Sequence, residues 1–193
     1  MIRPVDLGVC SGYAWDGDPA RAAIALPGAM LGGMPSLAFP LSVFVARGWS
    51  AVQVWDEFLD RSVDPTPWVR ERAEAAIAAA KGAERLVLVA KSLSTRAAGL
   101  AAERSIPAVW LTPLLDDPES VDGLRRRTAP ALLVGGTADP TWDGRLAREL
   151  SDDVLELPGA DHGLGTGADP RPLLANLERI VERVDALAAR LEA

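Results

Sequence analysis

Residues 86–95 read Leu-Val-Leu-Val-Ala-Lys-Ser-Leu-Ser-Thr. A short apolar run ends abruptly in hydroxyl-bearing residues, and the segment Leu93–Arg104 that follows has helical spacing. A run this short and this evenly apolar reads as a strand buried on both faces, as parallel sheets require. The same unit recurs along the chain. Further runs at Ala22–Leu26, Ala51–Trp55, Ala108–Thr112, Ala131–Val134 and Val154–Leu157 alternate with predicted helices at Leu37–Arg47, Pro67–Lys81, Pro118–Arg127 and Trp142–Leu150. A last helix, from Pro170 to about Leu191, places Leu173, Leu177, Ile180, Val184 and Leu187 at intervals of three and four, with charges between them. Thr66-Pro67 and Asp169-Pro170 each put a capping residue before a proline of the first turn, and Gly82 follows a helix end. Such alternation implies one doubly wound α/β domain spanning residues 1–193, a mostly parallel sheet of about six to seven strands with helices on both faces. The apolar segment Val5–Trp15, with Gly8 and Gly12 inside it, reads as an extra edge strand or hairpin.

Composition narrows the function classes. The chain has 193 residues, 49% hydrophobic, a size that suits one self-sufficient core. Twenty lysines and arginines against 27 acids give a net charge of −7, which argues against a nucleic-acid partner. The lone Cys10 excludes an intramolecular disulfide framework, disfavours a thiolate zinc site and fits a reducing compartment. Ala22–Ala46 is uncharged, but Pro27, Pro35, Pro40, Gly28, Gly32 and Gly33 break it too often for a spanning helix. It also lacks the basic start of a secretory signal. A soluble, cytoplasmic protein with a small-molecule substrate is the expectation; no cofactor or metal is expected, and the oligomeric state is open.

In a sheet of this class, ligands bind at the carboxyl ends of the parallel strands, so residues just past each strand matter most. Ser92 follows the Leu86–Ala90 run on a strand-to-helix turn, with the small Ala90 and Ser94 on either side. It reads as an exposed nucleophile or as an ordinary helix cap. Asp139 lies in Gly135-Gly136-Thr137-Ala138-Asp139-Pro140 after another strand and reads as a catalytic acid or a turn former. His162, the only histidine, follows the last strand in Pro158-Gly159-Ala160-Asp161-His162-Gly163. An imidazole titrates near neutrality and offers one nitrogen to take a proton and one to be oriented. Asp161 competes with Asp139 as its partner, but an adjacent side chain rarely reaches the ring in good geometry. The loop Pro27-Gly28-Ala29-Met30-Leu31-Gly32-Gly33 matches no nucleotide signature; its free N–H groups suit a nest for a developing anion, or it is a plain turn.

The segments LVLVAKSLST, ALLVGGTADPTWD and LPGADHG, in the order loop, Ser92, Asp139, His162, resemble the α/β-hydrolase superfamily from about Ala22 to the C-terminus. The likeness is to its small members without a cap domain, found especially among bacterial hydrolases. It departs from the family at Ala90 and Ser94, where the elbow usually has glycine, and in the absence of a His-Gly pair in the Pro27–Met30 loop. The resemblance implies an esterase or thioesterase in which Ser92, His162 and Asp139 form the triad. The N–H of Leu93 and one from Ala29 or Met30 would hold the oxyanion. An acyltransferase with the same triad, and a silent binding protein that kept the fold, are the alternatives. Only five residues separate Thr112 from Pro118, where larger relatives insert a lid, so an open site for small acyl groups is expected. Trp55, Trp110 and Trp142 lie at strand ends and are candidate pocket walls, while Lys91 is a candidate partner for Asp56 or for an anionic substrate.

Overall fold

In a computed structural model, which describes residues 1–30 and 33–193, the chain builds one eight-stranded sheet in the order β1-β2-β4-β3-β5-β6-β7-β8. The strands are β1 Ile2–Asp6, β2 Ser11–Trp15, β3 Asp18–Leu26, β4 Trp49–Trp55, β5 Arg85–Lys91, β6 Ala108–Leu111, β7 Ala131–Gly136 and β8 Asp153–Leu157. From β3 to β8 all pairings are parallel. The N-terminal segment supplies two antiparallel edge strands as a hairpin, with β2 pairing β4. Its turn uses Gly8 at φ 81, with Asp6 Oδ1 accepting the Gly8 N–H at 2.8 Å.

The two apolar faces of the central strands explain why they read as continuous runs. Val87, Val89, Val109, Leu132 and Val134 face helices α1 (Pro35–Ala46) and α6 (Pro170–Glu192). The intervening Leu88, Ala90, Trp110, Ala131 and Leu133 face α2 (Pro65–Ala79), α3 (Ala98–Glu103), α4 (Pro118–Arg125) and α5 (Gly144–Leu150). Burying each large aliphatic of this kind stabilises the fold by about 1.5–3 kcal/mol. Among the described residues no helix is long and apolar enough to cross a membrane.

Local chemistry moves several boundaries from their predicted positions. α2 begins two residues early: Asp64, not Thr66, is the cap, its carboxylate accepting the Thr66 N–H at 3.0 Å, and both prolines fit a first turn that needs no N–H. Asp169 caps α6 as expected, accepting the Arg171 N–H at 3.0 Å. The predicted helix Leu93–Arg104 divides into a 3₁₀ turn at Ser92–Ala97 followed by α3. β3 starts four residues before its apolar run, because pairing of Asp18 with Trp49 recruits Pro19 and Arg21 despite their low strand propensity.

The strand order reverses around β3. The chain moves outward from β3 through α1 to β4, then returns through α2 to β5 on the other side of β3. The loop after β3 and the turn after β5 therefore meet at a topological switch point, where open α/β sheets bind ligands.

Candidate active site

β5 ends at Lys91 with extended backbone, and Ser92 then turns sharply into the 3₁₀ helix with φ 51. A left-handed serine is uncommon, and such strain concentrates at functional positions. Ala90 and Ser94, which stand where the elbow usually has glycine, are both buried. Ser94 does more than keep the turn small: its hydroxyl donates to the Pro27 carbonyl, tying the elbow to the loop after β3. Next to that tie, Gly28 comes so close that a Cβ there would lie 3.3 Å from Ser92 Cβ.

Ser92 Oγ lies 2.7 Å from His162 Nε2, and His162 Nδ1 lies 2.8 Å from Asp139 Oδ2. Burial alone would raise the Asp139 carboxyl, but hydrogen bonds from His162 and from the Thr141 N–H and hydroxyl outweigh it and hold the group below the usual carboxylate range. An ionised carboxylate only accepts, so Nδ1 carries the donating hydrogen. In the neutral ring, Nε2 is then left with a lone pair for the Ser92 hydroxyl proton. Thr141, which holds Asp139 Oδ1 at 2.9 Å, was not singled out in the sequence; its place two residues after the acid in a turn is the signal that could have found it.

Asp161 has a different task. Its Oδ1 accepts the N–H groups of Gly163 and Gly165 at 2.8 and 3.1 Å, shaping the loop that presents His162. That loop packs on the end of β7, where a Cβ on Gly136 would come within 2.0 Å of the Ala160 carbonyl oxygen. The glycines of GGTAD thus let the acid and histidine loops approach.

Lys91 does not meet Asp56, which pairs with Arg72 at 3.0 Å, and forms no ion pair with an acid among the described residues. Only 6% exposed, its Nζ donates to Thr112 Oγ1 and to the His162 carbonyl, both at 2.8 Å. Burial lowers its pKa to about 8, against the opposing pull of Asp139 and Asp161. The lysine pins the histidine loop to the serine's own strand.

A cavity of about 290 Å³ opens in front of Ser92 and His162, lined also by Gly28, Ala29, Met30, Met34, Arg61 and Gly163. Leu31 and Gly32 of the glycine-rich loop lie outside the described residues. Among the described residues, the Ala29 and Met30 N–H groups have no backbone partner, while the Ala29 carbonyl accepts the Phe58 N–H at 3.2 Å. Leu93, second in the 3₁₀ turn, belongs to the first turn, whose N–H groups have no intrahelical partner. The tryptophan walls are a correction. Trp110 is 2% exposed within the core, Trp142 covers Gly135 and donates to Glu156 at 2.9 Å, and Trp55 packs edge-on against Tyr13; none lines this cavity. Among the described residues no cluster of three or more histidine, cysteine or acidic side chains is arranged to hold a metal ion.

Solved structures resemble the chain closely in architecture and distantly in sequence. Est1E from Butyrivibrio proteoclasticus, solved with ferulic acid bound, superimposes with a TM-score of 0.73 at 14% identity, covering 98% of both chains. The esterase domain of a Rhodothermus marinus protein gives 0.69 at 13% identity, again over 98% of each. An α/β serine hydrolase without a lid from Xanthomonas campestris gives 0.62 at 14% identity, over 97% of this chain and 94% of the other. No protein-family model matches the chain, and no curated protein matches its sequence. The fold is that of the α/β hydrolases.

Proposed function

We propose that the protein is a serine hydrolase that cleaves carboxylic esters or thioesters through Ser92, His162 and Asp139. The carrying observation is the unbroken hydrogen-bond chain from Ser92 Oγ through both ring nitrogens of His162 to Asp139, at 2.7 and 2.8 Å, at the mouth of a cavity. A protein that kept only the scaffold has no need of that alignment. The esterases and hydrolases among the similar structures support the same reading.

In this mechanism Ser92 Oγ attacks the acyl carbonyl as His162 Nε2 takes its proton. Asp139 keeps the ring in the accepting tautomer and stabilises its positive charge. The carbonyl oxygen, now negative, sits against the Leu93 N–H and that of Ala29 or Met30; losing one such donor costs about 10²–10³ in rate. The tetrahedral adduct collapses, the C–O or C–S bond breaks, and His162 returns the proton to the departing alcohol or thiol. Water then repeats the sequence on the acyl-serine, releasing the acid and restoring Ser92. The short connection after Thr112 and the modest cavity favour small acyl groups.

The test is hydrolysis of p-nitrophenyl acetate and butyrate and of the matching acyl thioesters, with Ser92→Ala as blank. Turnover that Ser92→Ala loses by about 10⁴–10⁶ supports the reading. Equal rates in the two proteins would overturn it.

A further inference from the structure

We infer that the substrate carries a carboxylate, and that Arg61 is the residue that receives it. This rests on the proposed hydrolase reading and names its substrate class.

Arg61 lines the same cavity as Ser92 and His162. Most arginines of this acidic chain are paired with carboxylates, yet Arg61 forms no hydrogen bond or ion pair with any described residue. Its neighbours in sequence are committed elsewhere. Asp60 Oδ1 accepts from the N–H and hydroxyl of Ser62 at 3.0 and 2.6 Å, Asp64 caps α2, and Asp56 holds Arg72. Glu57, the remaining acid of this loop, makes no ion pair with Arg61.

The loop that presents Arg61 is fixed on both sides. Phe58 is buried against Trp68 and bonded through its N–H to Ala29, in the segment assigned to the oxyanion, and Asp64 anchors the other end at α2. The backbone that carries Arg61 is therefore anchored beside the cavity, and its exposed side chain is free to turn toward a ligand there.

Charge in the cavity points the same way. Among the described residues no acidic side chain lines it, although acids outnumber bases by seven over the whole chain. Its other cation, Lys91, spends hydrogen bonds on Thr112 and the His162 carbonyl, which leaves Arg61 as the cation with a free hydrogen-bonding fork. A planar fork of donors matches a carboxylate in a way a point charge does not. The lining Met30 and Met34, both exposed, offer apolar surface for the chain between the two ends of the substrate.

The experiment compares p-nitrophenyl half-esters of succinate, glutarate and adipate with their terminal carboxamide counterparts, taking Ser92→Ala as blank. The partly exposed charge-assisted pair should favour the carboxylate by about tenfold in kcat/KM at the chain length that spans the gap, chiefly through KM. Arg61→Gln should bring that ratio to about 1 and Arg61→Lys should keep part of it, and added salt should shrink it. An enzyme that reacts with a fluorophosphonate yet shows no preference at any length, or keeps its preference in Arg61→Gln, overturns this inference alone. Failure to react with the fluorophosphonate overturns the hydrolase reading and this inference together.

Discussion

Replacing Lys91 by methionine removes a buried cation while keeping most of the side chain's volume, and its consequence should depend on pH. In the folded protein burial drops the lysine from an ordinary 10.5 to about 8, a difference corresponding to about 3 kcal/mol. Between those values the unfolded chain holds a proton that the folded chain has released, so wild-type stability rises with pH across that window. Below about pH 8 both states are protonated and the folded state bears the whole penalty of the buried charge. Lys91→Met escapes that penalty but leaves the His162 carbonyl without its donor, a loss of about 1–3 kcal/mol. The two terms nearly offset, so the variant should match the wild type in stability at pH 7. At pH 10 the wild type should be the more stable by about 2–3 kcal/mol. Urea denaturation of both proteins at the two pH values reads this directly, because every other titrating group is common to both. A stability difference that stays constant between pH 7 and pH 10 would refute the reasoning. The variant should also lose about tenfold or more in kcat at pH 7, because a misplaced histidine loop degrades the proton transfer.

Two further substitutions probe the site. Asp139→Asn presents an amide N–H to Nδ1, so the ring is held in the tautomer whose Nε2 cannot accept the serine proton; kcat for any hydrolysed ester should fall about 10³–10⁴-fold with little change in the folded structure by circular dichroism. Ser94→Ala leaves the Pro27 carbonyl without its donor, so thermal denaturation should show a loss of about 1 kcal/mol, and kcat/KM should drop several-fold as the oxyanion loop loosens.

Ser92, Asp139 and His162 were legible in the sequence because each sits just past an apolar run, and the parallel arrangement of those runs sends all three to one sheet edge. The choice between Asp139 and Asp161 was a matter of reach, and the structure shows the second acid turned into its own loop. What the sequence did not reveal depends on partners distant along the chain. Nothing local marks Lys91 as a tie to a carbonyl 71 residues away, or Ser94 as a tie to Pro27, 67 residues away. Arg61 stands out only once Asp56, Asp60 and Asp64 are seen to be committed elsewhere. Trp110 misled for the opposite reason: at a strand end it is close to the site in sequence, but the pleat turns its ring into the core under α3 and α4. The same limit applies to the start of α2, where Thr66-Pro67 suggested the cap and the fold uses Asp64 instead.

The claim on which the rest depends is that Ser92 is an activated nucleophile. Incubation with a fluorophosphonate, followed by intact-mass measurement beside Ser92→Ala and His162→Ala, tests it without a known substrate. A single covalent adduct on the wild type, absent from Ser92→Ala and nearly absent from His162→Ala, is the expected result. A folded wild-type protein that takes up no adduct would contradict it.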